Sequence, residues 1–343
     1  MIRILVDTLG GDNSPAANVE GAIRAVNEIP DLTVVLVGRS ADNAKLLEGK
    51  TFDERRVELI DAPDEISCND KPTDAIRQKT DSSLYRCFEL LKNDETVNGL
   101  VTCGSTGATL AGAVLKLGRV RGIKRPAFCP VLPTRTGGLV CVCDSGANAE
   151  CAPVYLHQFA LMADLYMKKA YGIEKPRVAL LNIGVEEEKG DTLRKETFAL
   201  LKNESAINFV GNMESRDLLS GSYDVVVADG FSGNVLIKST EGACIEMLKL
   251  LKAAFFKNFR TKLGAAILKK DVYELKNHMD YNNYGGAVLL GAKKTIVKSH
   301  GSSNSTAVFM SIKKACDMER NGLVDAIASL NSQCAIRNAQ LWS

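Results

Sequence analysis

The fold of this 343-residue chain is decided by the stretch LVTCGSTG (residues 100–107). In it, a run of β-branched and aliphatic residues ends in a polar turn that contains glycine. The same pattern recurs at residues 4–12, 140–148, 178–184 and 225–234. Uninterrupted apolar runs are typical of strands that are buried on both faces, and such strands form parallel sheets covered by helices. The repeated pattern therefore predicts an α/β fold.

Each of these turns follows the carboxyl end of a predicted strand. In open α/β sheets, ligands bind beyond these strand ends. The turns consist mainly of Gly, Asn, Asp, Ser and Thr, so they offer many backbone N–H groups and few bulky side chains. We therefore expect one continuous polar site that accommodates a small anion and its reaction partner.

The composition excludes several classes of partner. Apolar residues make up 45% of the chain, and 43 basic against 41 acidic side chains give a net charge of +2. This balance, with 6% aromatic residues, gives no basis for nucleic-acid binding. The ten cysteines show no metal-ligand spacing, so no metal site is predicted. Because neither a cleavable signal sequence nor about 20 consecutive apolar residues is visible, we expect a cytoplasmic location.

Helical segments alternate with the predicted strands. Apolar residues at helical spacing occur near 153–171 and 191–203. The segments 126–132 and 139–142 are separated by a turn sequence and predict a β-hairpin, hence a mostly parallel but mixed sheet. Repeats and linker-like composition are absent from the sequence, which predicts a single domain over residues 1–343.

The segment Gly104–Thr109 is the first candidate for anion binding. It follows a strand and opens a predicted helix, where free N–H groups and the helix dipole favour an anion, and Ser105 and Thr106 add hydroxyl donors. The segment lacks the Gly-Lys-Ser/Thr of a nucleotide-binding loop. A plain helix N-cap explains it equally well.

Lys189, which follows three glutamates, is a second candidate. It is either a movable charge that binds phosphate or an oxyanion, or else an ordinary surface charge.

Three histidines are present, so any imidazole catalyst is one of them. His300 lies in a polar loop between a predicted strand and a predicted helix, which is a position typical of a catalytic or anion-binding residue. His157 lies in an apolar helix and is expected to be a core residue. His278 is expected on a helix surface.

Residues 247–270 contain seven basic side chains and no acidic one. The apolar side chains of this segment share a helical stripe: Leu248, Leu251, Phe255, Phe259, Leu263 and Ile267. A basic amphipathic helix suits an anionic bilayer surface or an acidic protein. A core position or a dimer seam is the commoner role of such a stripe, and for its first Phe residues it is the favoured one. We expect a protruding helical segment over 243–279, with Leu263, Ile267 and Leu268 as membrane contacts.

Many segments of the chain match one known family in collinear order over residues 1–316. They are Gly10-Gly11-Asp12, Lys71-Pro72, Ala75-Ile76-Arg77, Asp81-Ser82-Ser83, Gly104–Ala108, Arg125-Pro126-Ala127, Asp144, Gly146-Ala147-Asn148, Asn182-Ile183-Gly184, Lys189-Gly190, Asn208–Asn212, Asp229-Gly230-Phe231, Gly233-Asn234, Tyr284-Gly285-Gly286 and His300–Ser303. Together they closely resemble the PlsX family of bacterial acyl-ACP:phosphate acyltransferases. Such an ordered set is far more specific than one glycine turn.

This resemblance implies a three-layer α/β/α sandwich like that of isocitrate and isopropylmalate dehydrogenases and of phosphotransacetylase. It also implies a homodimer without an organic cofactor that associates peripherally with an anionic membrane surface. The implied reaction transfers a fatty acyl group from acyl-[acyl carrier protein] to inorganic phosphate. Its acyl-phosphate product is used in phospholipid synthesis.

The turns and the resemblance together give the candidate site residues. The candidates for catalysis are Lys189, His300, Asn182 and Asn234. The candidates for binding phosphate or substrate are Asp7, Gly11, Asp12, Gly104, Ser105, Thr106, Gly107, Asp144, Asn148, Asp229 and Gly230. Phosphate is already anionic near neutral pH, so its attack on a thioester needs positioning and charge screening more than a strong base. We expect Gly104–Gly107 and Lys189 to hold phosphate, and Asn148, Asn182 or Asn234 to stabilise the oxyanion.

Two residues depart from the usual pattern of the family. Asn13 stands where the family usually has His, so the first turn lacks a titratable base, and Ser105 stands where it usually has Asn. Two other classes of function therefore stay open. One is a same-fold enzyme, either a transferase that uses acyl-CoA or a dehydrogenase with a metal-binding carboxylate cluster. The other is a non-catalytic adaptor for acyl carrier protein or membranes.

Overall fold

The computed structural model describes residues 1–330, except for the side chains of Lys276, Met279 and Tyr281. The strands are β1 (Ile2–Asp7), β2 (Leu32–Gly38), β3 (Val57–Asp61), β4 (Gly99–Thr102), β5 (Ala127–Cys129), β6 (Val131–Pro133), β7 (Leu139–Cys143), β8 (Arg177–Asn182), β9 (Asn208–Glu214), β10 (Val225–Val227), β11 (Ala287–Leu290) and β12 (Thr295–Lys298). The helices are α1 (Ala16–Glu28), α2 (Ser40–Leu47), α3 (Pro72–Gln78), α4 (Ser83–Asn93), α5 (Thr106–Gly112), α6 (Pro153–Tyr171), α7 (Thr192–Lys202), α8 (Gly230–Phe255), α9 (Phe259–Ile267), α10 (Lys269–Met279) and α11 (Ser305–Arg320). Residues 323–330 are also helical.

The strands form two sheets of mixed direction. The first has the order β3-β2-β1-β4-β12-β11-β5, and β11 is antiparallel to both of its neighbours. The second has the order β6-β7-β10-β8-β9, in which β6 and β7 are antiparallel and the remaining pairs are parallel. The predicted α/β fold with mostly parallel, mixed pairing is confirmed.

The predicted hairpin is divided between the two sheets. The expected strand 126–132 is two strands, β5 and β6, which lie on either side of Pro130. Proline has no N–H with which to continue a ladder, so the chain changes partners at this residue. β5 pairs with β11, whereas β6 pairs with β7.

Residues along the central strands alternate between two apolar layers, which explains their continuously apolar sequences. Ile4 and Val6 of β1 face a core shared with α1 and α11, whereas Leu5 faces the side of α4. In β10, Val226 faces the side of α8, opposite to its neighbours. Helices therefore cover both faces of the sheets. Because these side chains are fully packed, Leu5→Ala would cost about 2–5 kcal/mol of folding free energy.

The second half of α8, with α9 and α10, departs from this core. The buried residues of α8 all lie in its first turns, between Gly230 and Ile237, and α9 contains no buried residue. Helix is present over most of the predicted segment 243–279, but it is interrupted after Phe255 and Ile267. Phe259 is 82% exposed within one chain, so the interpretation of this part of the stripe as core is wrong. Within residues 1–330, no helix combines the length and the apolar character needed to cross a bilayer.

Candidate active site

A cleft of about 480 Å³ lies at the carboxyl ends of β4, β7 and β12. Its polar lining comprises Thr106, Ser145, Asn234, Lys238, Glu241, Lys298, Ser299 and His300. An apolar wall is formed by Phe128 of β5, by Pro130, and by Val131 and Leu132 of β6. The cleft thus has the strand-end location expected for a ligand site in an open α/β sheet.

The turns after β1 and β4 lie backbone to backbone at one side of the cleft. A Cβ atom on Gly10 would lie 2.6 Å from the amide nitrogen of Gly104, so this approach requires glycine. Beneath the turns, Asp7 accepts hydrogen bonds from Ser83 Oγ at 2.6 Å and from Thr102 Oγ1 at 2.7 Å. Burial raises the pKa of the Asp7 carboxyl above its usual range. Asp7 therefore ties β1, β4 and α4 together.

The loop after β12 is fastened to the first turn. The Asp12 amide donates to the Gly301 carbonyl at 2.8 Å. Asn13 Nδ2 donates to the carbonyls of Ser302 and Ser303, each at 3.1 Å. Asn13 thus positions the loop that carries His300.

His300 faces the cleft with a defined tautomer. Its Nδ1 accepts the backbone N–H of Ser302 at 3.2 Å. Because a backbone N–H is only a donor, the neutral ring carries its proton on Nε2. Partial burial and the nearby charge of Lys238 lower the pKa of His300, which favours the neutral ring. The imidazole therefore supplies a hydrogen-bond donor and is a poor general base.

The opposite side of the cleft is built around Asp144. Its carboxylate accepts the backbone N–H groups of Phe128 at 3.0 Å, Ala147 at 3.0 Å and Asn148 at 2.7 Å. Burial nevertheless raises the pKa of Asp144. A Cβ atom on Gly233 would lie 1.9 Å from the Asp144 carbonyl oxygen, so α8 begins directly against this turn. This contact places Asn234 at the cleft.

Asp229 and Gly230 fix the start of α8. Asp229 accepts the N–H of Ser232 at 2.9 Å as the N-cap of the helix and forms an ion pair with Arg194. The Arg194 guanidinium also donates to Ser232 Oγ at 2.8 Å. The amide of Gly230 donates to the carbonyl of Asn148 at 2.7 Å. These contacts align α8 with the turn after β7.

The turn after β8 contributes no residue to the described cleft lining. Asn182 Oδ1 accepts the N–H of Ile183 at 2.8 Å, and its Nδ2 donates to the Lys189 carbonyl at 3.1 Å. Asn182 therefore holds the loop that carries Lys189, whose side chain is exposed. Since β10 lies between β7 and β8, this loop is one strand further from the cleft. We expected all five turns to form one continuous site. In the structure, fewer of them line the cleft.

The candidate residues divide into two groups by position. Thr106, Gly107, Asn234 and His300 line the cleft. The second group lies outside the lining. Asp7 ends β1, and Asn182 ends β8 beside the loop that carries Lys189. The turns that surround the cleft contain the others: Gly11, Asp12, Gly104, Ser105, Asp144, Asn148, Asp229 and Gly230. Direct contact of this second group with phosphate or substrate stays a prediction.

Sequence analysis missed three charged residues of the lining. Lys298 is the last residue of β12, and Lys238 Nζ pairs with Glu241 Oε2 on α8 at 2.7 Å. A lysine that ends an apolar strand directly before the His300 loop is a usable signal for Lys298. Lys238 and Glu241 on α8 carry no such sequence signal, because oppositely charged residues three positions apart are common on exposed helix surfaces.

Comparisons with known proteins agree with this architecture. The family described as "Fatty acid synthesis protein" matches residues 2–325. A phosphate acyltransferase of Clostridium tetani is 42% identical over 326 residues, which cover 95% of this chain and 97% of that protein. One of Bacillus cereus (strain B4264) is 42% identical over 329 residues, covering 96% and 98% respectively.

Solved structures show the same fold at low sequence identity. A phosphotransacetylase from Streptococcus pyogenes has a TM-score of 0.59 at 17% identity, covering 93% of this chain and 94% of that one. A putative 4-hydroxythreonine-4-phosphate dehydrogenase from Salmonella typhimurium has a TM-score of 0.50 at 16% identity, covering 92% and 99% respectively. The predicted likeness to the fold of phosphotransacetylase is confirmed, and a dehydrogenase shares this fold as well. With the family match over nearly the whole chain, this protein belongs to the PlsX family of phosphate acyltransferases and is an acyltransferase enzyme.

Proposed function

We propose that this enzyme transfers a fatty acyl group from acyl-[acyl carrier protein] to inorganic phosphate and releases acyl-phosphate for phospholipid synthesis. The observation that carries the proposal is the strand-end cleft of a phosphate acyltransferase, whose lining combines hydroxyl, amide, imidazole and ammonium groups. The carboxylate of the lining, Glu241, is paired with Lys238. Donors and cations of this kind stabilise an anionic nucleophile and the oxyanion that its attack creates.

The proposed chemistry is an acyl transfer without an added base. A phosphate oxygen attacks the thioester carbonyl carbon, the C–O bond forms, and the C–S bond breaks to release the carrier thiolate, which takes a proton from water. Thr106 at the cleft wall binds the phosphate. The Asn234 amide and the Nε2–H of His300 stabilise the tetrahedral oxyanion. Lys189 adds positive charge from the neighbouring loop, and Asn182 positions that loop.

The acyl donor separates this proposal from its alternatives. We propose incubating the purified protein with labelled phosphate and either acyl-[acyl carrier protein] or acyl-CoA of the same chain length. Faster acyl-phosphate formation from the carrier protein is the expected result. Equal or faster reaction with acyl-CoA would favour a phosphotransacetylase-like enzyme. Tight binding of acyl-[acyl carrier protein] with no turnover would favour the adaptor.

We further propose that the end of α9 and the start of α10 bring the enzyme to the membrane from the cytoplasm. Leu263, Ile267 and Leu268 are 58%, 77% and 45% exposed, and Lys262, Lys269 and Lys270 flank them. Each buried aliphatic side chain contributes at most about 1.5–3 kcal/mol of binding free energy, and each lysine near an anionic surface about 1 kcal/mol. A homodimer, which we also propose, would present two such segments and bind reversibly. The amphiphilic acyl-phosphate would then be released beside the bilayer.

A further inference from the structure

Lys298 is a buried cation at the cleft that contacts no carboxylate of the described residues. The residue as a whole is 8% exposed. Its Nζ donates to the carbonyl oxygen of Cys103 at 3.3 Å and to that of Ser299. An ammonium group has three N–H donors, so this arrangement leaves one donor for a ligand. Burial lowers the pKa of the Lys298 ammonium. Because a buried charge is costly unless it is paired, a bound anion would stabilise the charged form at this position.

Among residues 1–330, no neighbouring carboxylate pairs with this ammonium. The carboxyl of Asp7 accepts hydrogen bonds from the hydroxyls of Ser83 and Thr102 and forms no ion pair with Lys298. Burial also raises the pKa of the Cys103 thiol to about 11, so the thiol is uncharged at neutral pH. Lys238 and Glu241 compensate each other. Among the described residues of the cleft lining, Lys298 therefore supplies the net positive charge.

We propose that Lys298 is the cation that binds the attacking inorganic phosphate. This inference rests on the proposed function and deepens it, because it assigns the direct contact with phosphate to a fixed group within the cleft, while the exposed Lys189 adds charge from the neighbouring loop. The two backbone carbonyls hold the ammonium in place before phosphate arrives, so little reorganisation accompanies binding. Lys298 and His300 line the same cleft, so phosphate bound at Lys298 would lie near the proposed oxyanion donor.

The direct test compares Lys298→Gln with the wild type. Glutamine keeps an N–H donor for the backbone carbonyls but removes the charge. We expect the phosphate KM to rise about 10- to 100-fold, which is the range for one hydrogen bond to a charged group. The KM for the acyl donor should change less than about twofold, since that substrate does not depend on Lys298. Lys298→Arg, which keeps the charge, should recover part of the phosphate affinity.

Lys314→Gln is the matched control for the loss of a buried lysine. Lys314 is also buried and donates to a backbone carbonyl, that of Gly286 at 2.9 Å, but it does not line the cleft. Inorganic phosphate alone should raise the unfolding temperature of the wild type and of this control at the same concentrations. Lys298→Gln should need about 10- to 100-fold more phosphate for the same rise.

The possible results separate the two proposals. Wild-type protein that forms no acyl-phosphate would overturn the proposed function, while phosphate-dependent stabilisation lost in Lys298→Gln would still support the site. A folded Lys298→Gln with wild-type phosphate KM and wild-type stabilisation would overturn the role of Lys298. If Lys298→Gln does not fold, the side-chain NMR signal of Lys298 is measured instead. This signal is the lysine signal that the wild type shows and Lys298→Arg lacks, and it is followed in the wild type as phosphate is added. No shift of that signal at saturating phosphate would overturn the role.

Discussion

At the scale of single residues, Asp7 shows how a polar strand-end residue can serve the fold. Its carboxyl is buried among Ser83, Thr102 and backbone donors, and burial raises its pKa above the usual 3.8. The unfolded chain therefore loses this proton at a lower pH than the folded protein does. The contribution of Asp7 to the free energy of unfolding therefore falls as the pH rises from 3.8 through the raised pKa of Asp7, and it no longer changes above that pKa.

Asp7→Asn removes this titration, so we expect the variant to gain stability relative to the wild type as the pH rises through that window. Urea unfolding of both proteins at several values between about pH 4 and pH 7 measures the difference. If the unfolding free energies of the two proteins depend on pH in the same way, the pKa of Asp7 is the same in the folded and the unfolded chain, and the prediction is wrong.

Thr106 gives the corresponding test of the cleft wall. Thr106→Val removes a hydroxyl at nearly constant volume, so the phosphate KM should rise about 2- to 10-fold, as for one neutral hydrogen bond. Thr109→Val is the control, because Thr109 Oγ1 donates to the Ser105 carbonyl at 2.8 Å and does not line the cleft. Steady-state rates over a phosphate series measure both. An equal response of the two variants would remove Thr106 from the phosphate site.

The sequence located the polar turns but did not show which of their side chains face a ligand. Asp7 and Thr106 lie in equally polar turns, and the partner of Asp7, Ser83, is 76 positions away along the chain. Such long-range contacts are absent from local patterns. The position of Lys298 before the His300 loop was a usable signal, but its burial was not predictable, because it depends on long-range contacts such as the one with Cys103.

At the scale of elements, the end of α9 and the start of α10 carry the membrane prediction. Replacing Ile267 and Leu268 with Asp should abolish sedimentation with anionic vesicles and leave soluble acyl transfer within about twofold, because the segment lacks buried contacts. Leu200→Asp on α7, also an exposed leucine, is the matched control and should sediment normally. An unfolded or monomeric double variant would show instead that α9 belongs to a dimer seam.

Element boundaries were predictable where the pattern was local. The strands that precede the polar turns were predicted from continuous apolar runs, since burial on both faces imposes that composition. The division at Pro130 was not predicted, because the choice between pairing with β11 and with β7 depends on segments far away in the chain. The exposure of Phe259 was also not predictable, since a helical stripe does not show what covers it.

At the scale of the whole molecule, the two sheets place the cleft between them. One side is built from the turns after β4 and β12, and the other from the turn after β7 and the first turns of α8. The α/β class and the strand-end site follow from the repeated pattern of the sequence, and the family follows from its ordered motifs. The proposed homodimer concerns a second chain, so it stays a prediction that sedimentation analysis can test.

The central claim is that this cleft joins an acyl group to inorganic phosphate. The most direct measurement follows purified protein with acyl-[acyl carrier protein] and labelled inorganic phosphate, and records released carrier thiol and labelled acyl-phosphate in the same samples. We predict that the two products appear in equal amounts, that both require phosphate, and that Lys298→Gln raises the phosphate concentration needed. Thiol release that is independent of phosphate, or carrier binding without either product, would contradict the account.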